Sequence, residues 1–214
     1  MVSVPAFPVY IFDVDGTLGD SAEDICGAIR GVLSKTAVGP VSDQFLQTYI
    51  GRHLNDLYKH LLPDLDAAQA DAMLQDYRSI YAARDHCNTR AYDGVAETLA
   101  KLPGRKSTAT TKGTPTTRIV LERFKLLPYF DHVQGTDGFP AKPEPDVIFK
   151  ALEGLNAKPE DCLFVGDSPA DMEAAKRAGV RSCAVTYGYG QRDGLAEWSP
   201  DYWIDHFSQL LSHV

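Results

Sequence analysis

The sequence predicts an α/β protein: a parallel sheet with helices on both faces, interrupted after its first strand by an all-helical block. Three observations carry this. Short apolar runs, Val9-Tyr10-Ile11-Phe12, Leu163-Phe164-Val165-Gly166 and Cys183-Ala184-Val185-Thr186, have strand length and are too short for helices. From Tyr92 onward such runs alternate with helical stretches, the pattern of a buried parallel sheet. Between about residues 20 and 88, strand signals are few and helical periodicity dominates.

Taken in order, the first strand follows residues 1–8 and is stopped by Gly16. Ser21 is placed to cap a first helix, with Asp24 in its first turn and Ile25, Ala28, Ile29, Val32 and Leu33 on its apolar positions. Ser42 or Asp43 caps a second helix through Phe45, Leu46 and Tyr49, ended by Gly51. Leu54, Leu57, Tyr58, Leu61 and Leu62 form a third stripe, closed by Pro63. Residues 67–84 form a fourth helix, with Met73, Leu74, Tyr77, Ile80 and Tyr81 on one face. Then come a helix over 95–102, a polar strand over 105–111, a helix over 115–124 and a short strand over 133–135. A helix over 145–155, a strand over 163–166 and a helix over 170–178 stopped by Gly179 follow. Strands over 183–186 and 202–204 and a helix over 206–212 complete the chain. The expected division is a Rossmann-like core of residues 1–19 and 90–214, with a helical cap of residues 20–89 between hinges at 18–20 and 87–92.

The 214 residues are enough for a full hydrophobic core, and 44% hydrophobic with 23% charged residues is ordinary for a globular chain. The net charge of −8 argues against a general binder of nucleic acid or anionic membranes. No apolar stretch approaches a membrane span, and residues 1–8 lack the pattern of a signal peptide. A cytoplasmic protein, monomer or homodimer, is expected. Cys26, Cys87, Cys162 and Cys183 are far apart, which suggests neither a zinc site nor a disulfide framework.

The chemistry concentrates at strand ends. Asp13-Val14-Asp15-Gly16-Thr17 follows the first strand directly. Ligands of open α/β sheets bind beyond the carboxyl ends of strands, and residues two apart on an extended segment face one side. Asp13 and Asp15 can therefore converge on one metal or phosphate. A second acidic cluster, Gly166-Asp167-Ser168-Pro169-Ala170-Asp171, follows the strand at 163–166. Ser168 and Asp171 can also be read simply as caps of the next helix. Two such clusters in one sheet repel unless a cation is present, and oxygen ligands favour a hard cation such as Mg²⁺. Thr108-Ala109-Thr110-Thr111-Lys112-Gly113 ends the polar strand with hydroxyls that can donate to phosphate, or that merely fill a strand. Lys142 lies in a proline-stiffened loop, Lys142-Pro143-Glu144-Pro145, as a phosphate ligand or a solvated lysine.

In this order the motifs resemble those of the haloacid-dehalogenase-like hydrolases: Asp13-Val14-Asp15-Gly16-Thr17, Thr110, Lys142-Pro143, and Gly166-Asp167 with Asp171. The stretches Tyr92-Asp93-Gly94, Lys142 to Asp146, Val165 to Val180 and Tyr187-Gly188-Tyr189-Gly190 are similar to the phosphoglycolate-phosphatase-like branch. The resemblance covers nearly the whole chain. It implies a phosphatase with a helical cap, acting on a small phosphorylated metabolite through an aspartyl-phosphate. Asp13 would be the nucleophile and Asp15 the proton donor and acceptor. Asp13, the Asp15 carbonyl and Asp167 would hold Mg²⁺, with Asp171 orienting coordinated water. Thr110, Thr111 and Lys142 would bind phosphoryl oxygens. Gly51-Arg52-His53 corresponds to the cap's substrate-facing loop, where Arg52 is either a substrate ligand or one more exposed arginine. Gly19, Thr111 and the polar strand depart from the usual pattern without removing a catalytic group. A phosphomutase, a pyrophosphatase and a non-catalytic binding protein on the same scaffold are the alternatives.

Overall fold

The structure is a computed structural model that describes residues 3–211; Ser212, the expected end of the last helix, lies outside them. The first strand, Val9–Phe12 (β1), forms as expected and is buried throughout. A short strand, Gly19–Asp20 (β2), leads into four helices: Ala22–Leu33 (α1), Asp43–Gln47 (α2), Leu54–Leu61 (α3) and Ala67–Ala83 (α4). Arg90–Ala91 (β3) returns antiparallel to β2, so the two passages between sheet and helices form one small ribbon. There follow Val95–Lys101 (α5), Arg105–Thr108 (β4), Thr114–Arg123 (α6), Asp146–Leu155 (α7) and Cys162–Gly166 (β5). The last elements are Pro169–Ala178 (α8), Arg181–Val185 (β6), Arg192–Ala196 (α9), Tyr202–Ile204 (β7) and a 3₁₀ turn at Phe207–Leu211.

The main sheet is parallel throughout, in the order β4-β1-β5-β6-β7. Phe12 lies opposite both Thr108 and Val165, so β4, β1 and β5 finish level. The chain leaves β1 to one side for β4 and later returns on its other side as β5. That reversal opens a crevice at the carboxyl ends of the strands, where Asp13 and Asp167 emerge.

Alternation along β1 divides the interior. Tyr10 and Phe12 join one apolar cluster with Val95 and Leu99 of α5 and Val120 and Leu121 of α6. Val9 and Ile11 join another with Val147, Ile148 and Ala151 of α7 and Ala174 and Ala175 of α8. The helical block has its own cluster, built from Ile25, Ile29, Leu46, Leu57, Tyr58 and Tyr81.

Several local expectations change. Residues 133–135 are not a strand: Gln134 exchanges hydrogen bonds with the Thr108 hydroxyl, so a side chain stands where a ladder partner would be. The second helix stops at Gln47, four residues before the Gly51 turn, and β4 stops at Thr108 rather than 111. Asp24 is more than a first-turn charge. It is buried and accepts from Arg84 Nε, the Asn88 N–H and the Thr89 hydroxyl, which pins the second passage to α1.

Candidate active site

Asp13 follows β1 directly, and its N–H donates to the Val165 carbonyl of β5 at 2.9 Å. This carries the ladder one residue past the strand and fixes the carboxylate at the crevice. Asp167 follows β5, and Asp171 lies in the first turn of α8. One carboxylate oxygen from each of Asp13, Asp167 and Asp171 lies within 4.8 Å of the others. All three residues are at most 2% exposed.

Lys142 closes this cluster. Its Nζ donates to Asp13 Oδ1 at 2.7 Å, Asp171 Oδ1 at 2.5 Å and the Ala109 carbonyl at 3.0 Å. It is therefore not a solvated lysine. Burial disfavours its charge, but Asp13 and Asp171 outweigh burial and raise its pKa. Asp171 caps its helix, one of the two parts expected of it, and also meets Lys142. Its Oδ2 accepts from the Ser168 N–H and hydroxyl in a capping box, while Oδ1 meets Lys142.

Asp167 accepts from the Thr17 hydroxyl at 3.3 Å and from the Tyr189 N–H at 2.7 Å. Gly16, at φ +83°, leaves room for it: a Cβ there would overlap the Asp167 carboxylate. Among the described residues, the buried Asp13 Oδ2 has no hydrogen-bond partner. Burial pushes the Asp13 carboxyl up to about 7, with Lys142 drawing it back and Asp171 and Asp15 adding to the rise. Burial also pushes Asp167 well above its ordinary value, helped by Asp171 and Asp13. Three carboxylates around one ammonium leave negative charge uncompensated in a dry space. The donor set is all oxygen and one oxygen is orphaned, so these residues fit a hard dication of the Mg²⁺ type.

Asp15 differs from the other acids. Its carboxylate lies outside the three-acid group. Ser21 Oγ donates to Oδ1, and Lys112 Nζ donates to Oδ2 at 2.5 Å. Asp15 lines a cavity of about 680 Å³ between sheet and helical block, with Thr111, Lys112, Arg52, Tyr77 and Arg78 also on its walls. Thr110 is fully buried just after Ala109, whose carbonyl holds Lys142, while Thr111 is half-buried. Arg52 is exposed at the cavity, its guanidinium 5.5 Å from the Tyr49 ring centre. Gly51 beside it, at φ +86°, brings the loop so near the crevice that a Cβ would lie 3.3 Å from Ser168 Oγ. The structure thus gathers Asp13, Lys142, Asp167 and Asp171 into one cluster and puts Asp15, Thr111 and Arg52 on the cavity wall, with Thr110 buried just past the end of β4.

Lys112 and Ser21 are partners of Asp15 beyond the site residues expected from the sequence. Lys112 stands in the quoted threonine run, two residues after Thr110, and its place beside strand-end acids was the available signal. Burial lowers its pKa, but Asp15, Tyr81 and Tyr77 outweigh that and raise it. Its Nζ lies 4.8 Å from the Tyr81 ring centre.

Residues 10–185 match the family pattern of haloacid dehalogenase-like hydrolases. The chain belongs to that family. Phosphoglycolate phosphatase 1 of Pseudomonas aeruginosa is 33% identical over 94% of this chain and 77% of its own length. Pyrophosphatase PpaX of Anoxybacillus flavithermus is 32% identical over 94% of each. A crystal structure of "a predicted phosphatase from Clostridium acetobutylicum" superposes with a TM-score of 0.89 at 30% identity, covering 97% of this chain and 98% of the other. Within the haloacid dehalogenase-like hydrolases this chain is a phosphatase enzyme. Among its described residues, no helix is long and apolar enough to cross a membrane.

Proposed function

We propose that this phosphatase is a cytoplasmic, Mg²⁺-dependent phosphomonoesterase that hydrolyses a small phosphorylated metabolite, phosphoglycolate first among them, through a phosphorylated Asp13. The observation that carries this reading is the buried Asp13, with one oxygen on Lys142 and the other orphaned, inside an all-oxygen acidic cluster. Such a carboxylate is desolvated and held in place, which suits a nucleophile. Asp13, Asp167 and the Asp15 carbonyl would hold Mg²⁺, with Asp171 orienting its water. When bound, the ion supplies positive charge to the phosphoryl oxygens and to the acidic cluster.

Asp13 attacks phosphorus and the leaving alkoxide departs. Asp15, at the cavity wall, gives that oxygen a proton and then takes one from the water that hydrolyses the acyl phosphate. Lys142 and the Thr110 and Thr111 hydroxyls stabilise the phosphoryl charge, Lys142 being poised at Asp13 already. Lys112 holds the Asp15 carboxylate on the other side. Residues 20–89 act as the cap on a core of 1–19 and 90–214; their separate apolar cluster and the β2–β3 ribbon support that division. Arg52 on the cap loop recognises the part of the substrate beyond the phosphate.

A pyrophosphatase is the second reading, supported by the likeness to PpaX. A panel of phosphate esters that includes phosphoglycolate, pyrophosphate and hexose phosphates, assayed for phosphate release with Mg²⁺, ranks the substrates. Phosphoglycolate at the head of the kcat/KM order is the expected result. No release from any of them overturns the reading, and recovery of an isomerised ester would make the protein a mutase.

A further inference from the structure

Tyr189 sits in the loop between β6 and α9, on the sheet side of the molecule, yet its ring packs on the apolar cluster of the helical block. Its main-chain N–H donates to Asp167 Oδ2 at 2.7 Å. Its phenol oxygen accepts from the N–H groups of Ser21 at 2.7 Å and Ala22 at 3.0 Å, and donates to Asp20 Oδ1 at 2.8 Å. One residue therefore grips the acidic cluster with its backbone and the start of α1 with its side chain.

The first amides of a helix have no partner within it, and an N-cap side chain usually supplies one. Ser21 holds that position in α1 but makes no capping bond. Its hydroxyl donates to Asp15 Oδ1 instead. The phenol of Tyr189 accepts from the Ser21 and Ala22 amides, 168 and 167 residues away, sharing the Ala22 amide with Asp20 Oδ1 at 3.2 Å, while the serine hydroxyl stays on Asp15.

We propose that Tyr189 is a positioning residue for the reaction: its phenol fixes the start of α1 against the Asp167 loop and thereby holds Ser21 on Asp15. It acts through Ser21 and touches no reacting atom. A hydroxyl lost from Tyr189 lets the first turn of α1 drift, and the Ser21 contact that orients Asp15 goes with it. This inference rests on the phosphatase reading above, in which Asp15 moves the proton.

The test uses Tyr189→Phe, Ser21→Ala and the double variant of the full chain. Tyr189→Phe keeps the ring in its apolar seat and the amide on Asp167. Each single variant should lose about 10-fold in kcat on phosphoglycolate and much less on p-nitrophenyl phosphate, whose leaving group needs little protonation. The Mg²⁺ concentration for half-maximal activity should stay unchanged in Tyr189→Phe. The double variant should be no slower than the slower single, because both act through one contact. Multiplying losses, equal losses on both substrates, or no loss would overturn the proposal. Hydrogen exchange gives a readout apart from activity: amides over residues 20–26 should exchange faster in Tyr189→Phe. If the native protein hydrolysed no ester, the phosphatase reading would fall, yet faster exchange would still support the anchoring of α1 by Tyr189. Unchanged exchange would overturn it.

Discussion

In the sheet core, Asp13, Asp167, Asp171 and Lys142 are at most 2% exposed, and each oxygen or ammonium proton has a fixed neighbour apart from Asp13 Oδ2. In the helical block, Arg52 and His53 stand open at the cavity on a loop between two short helices. The core builds its chemistry by crowding: level strand ends, a glycine that clears space for Asp167, and three acids packed around one ammonium. Burying charge in this way is costly, and it yields rigid placement. The block keeps its charges in water, where they are cheap to hold and free to adapt. A phosphoryl group is the same in every ester, so a rigid site suits it. The remainder of the substrate varies, so an open loop suits that. Asp24 is the exception in the block, a buried acid that spends its hydrogen bonds on the passage back to the sheet rather than on a ligand.

Asp13→Asn strikes the rigid half hardest. It preserves size but removes the attacking charge, and phosphate release should fall at least about 1,000-fold while circular dichroism shows an intact fold. Near-native turnover in the purified variant would break the assignment of covalent chemistry to the core.

Metal removal comes next. A chelator should abolish turnover and Mg²⁺ should restore it. Because the ion would meet an acidic cluster preformed in the fold, it should also stabilise the protein, by about 2.7 kcal/mol at a hundred times its Kd. Thermal unfolding with and without Mg²⁺ measures this, and identical melting curves would count against a dication at the acidic cluster.

Arg52→Ala sharpens the contrast from the other side. If the block reads the substrate, kcat/KM should drop roughly 10- to 100-fold for phosphoglycolate, whose carboxylate can pair with a guanidinium, and much less for p-nitrophenyl phosphate. A uniform drop would give Arg52 a role in closure, and no change would leave it a solvated surface residue.

Asp24→Asn should have the smallest effect on chemistry and a clear one on stability, about 1.5–3 kcal/mol at neutral pH. Burial pushes the Asp24 carboxyl up, but hydrogen bonds from Thr89, Asn88 and Arg84 outweigh burial and hold it below its ordinary 3.8. A lowered folded-state pKa means the stabilisation is present above that ordinary value and is lost as pH falls through the folded-state one. The stability gap between native protein and variant should therefore close below about pH 4. Denaturant titrations at several pH values check this, and a gap independent of pH would mean that Asp24 contributes packing alone.

The amino-acid sequence by itself determined the parallel sheet, its inserted helices and the strand-end acids. These follow from local rules: run length, period, and what may follow a strand. Asp13, Asp15 and Asp167 were legible because each lies within five residues of an apolar run that fixes its position. The weaker reading at 133–135 had no such support, since three residues carry too little pattern to separate a strand from a segment tied down by Thr108. Tertiary structure alone decided the partners. Lys112 reaches Asp15 across 97 residues of chain, and Tyr189 reaches Ser21 across 168. It also decided that Ser21, rightly placed as an N-cap, would turn its hydroxyl to Asp15. A residue's conformation is biased by its neighbours in sequence, but its hydrogen-bond partner is whichever group the fold brings within 3 Å or so, and no local pattern encodes that distance.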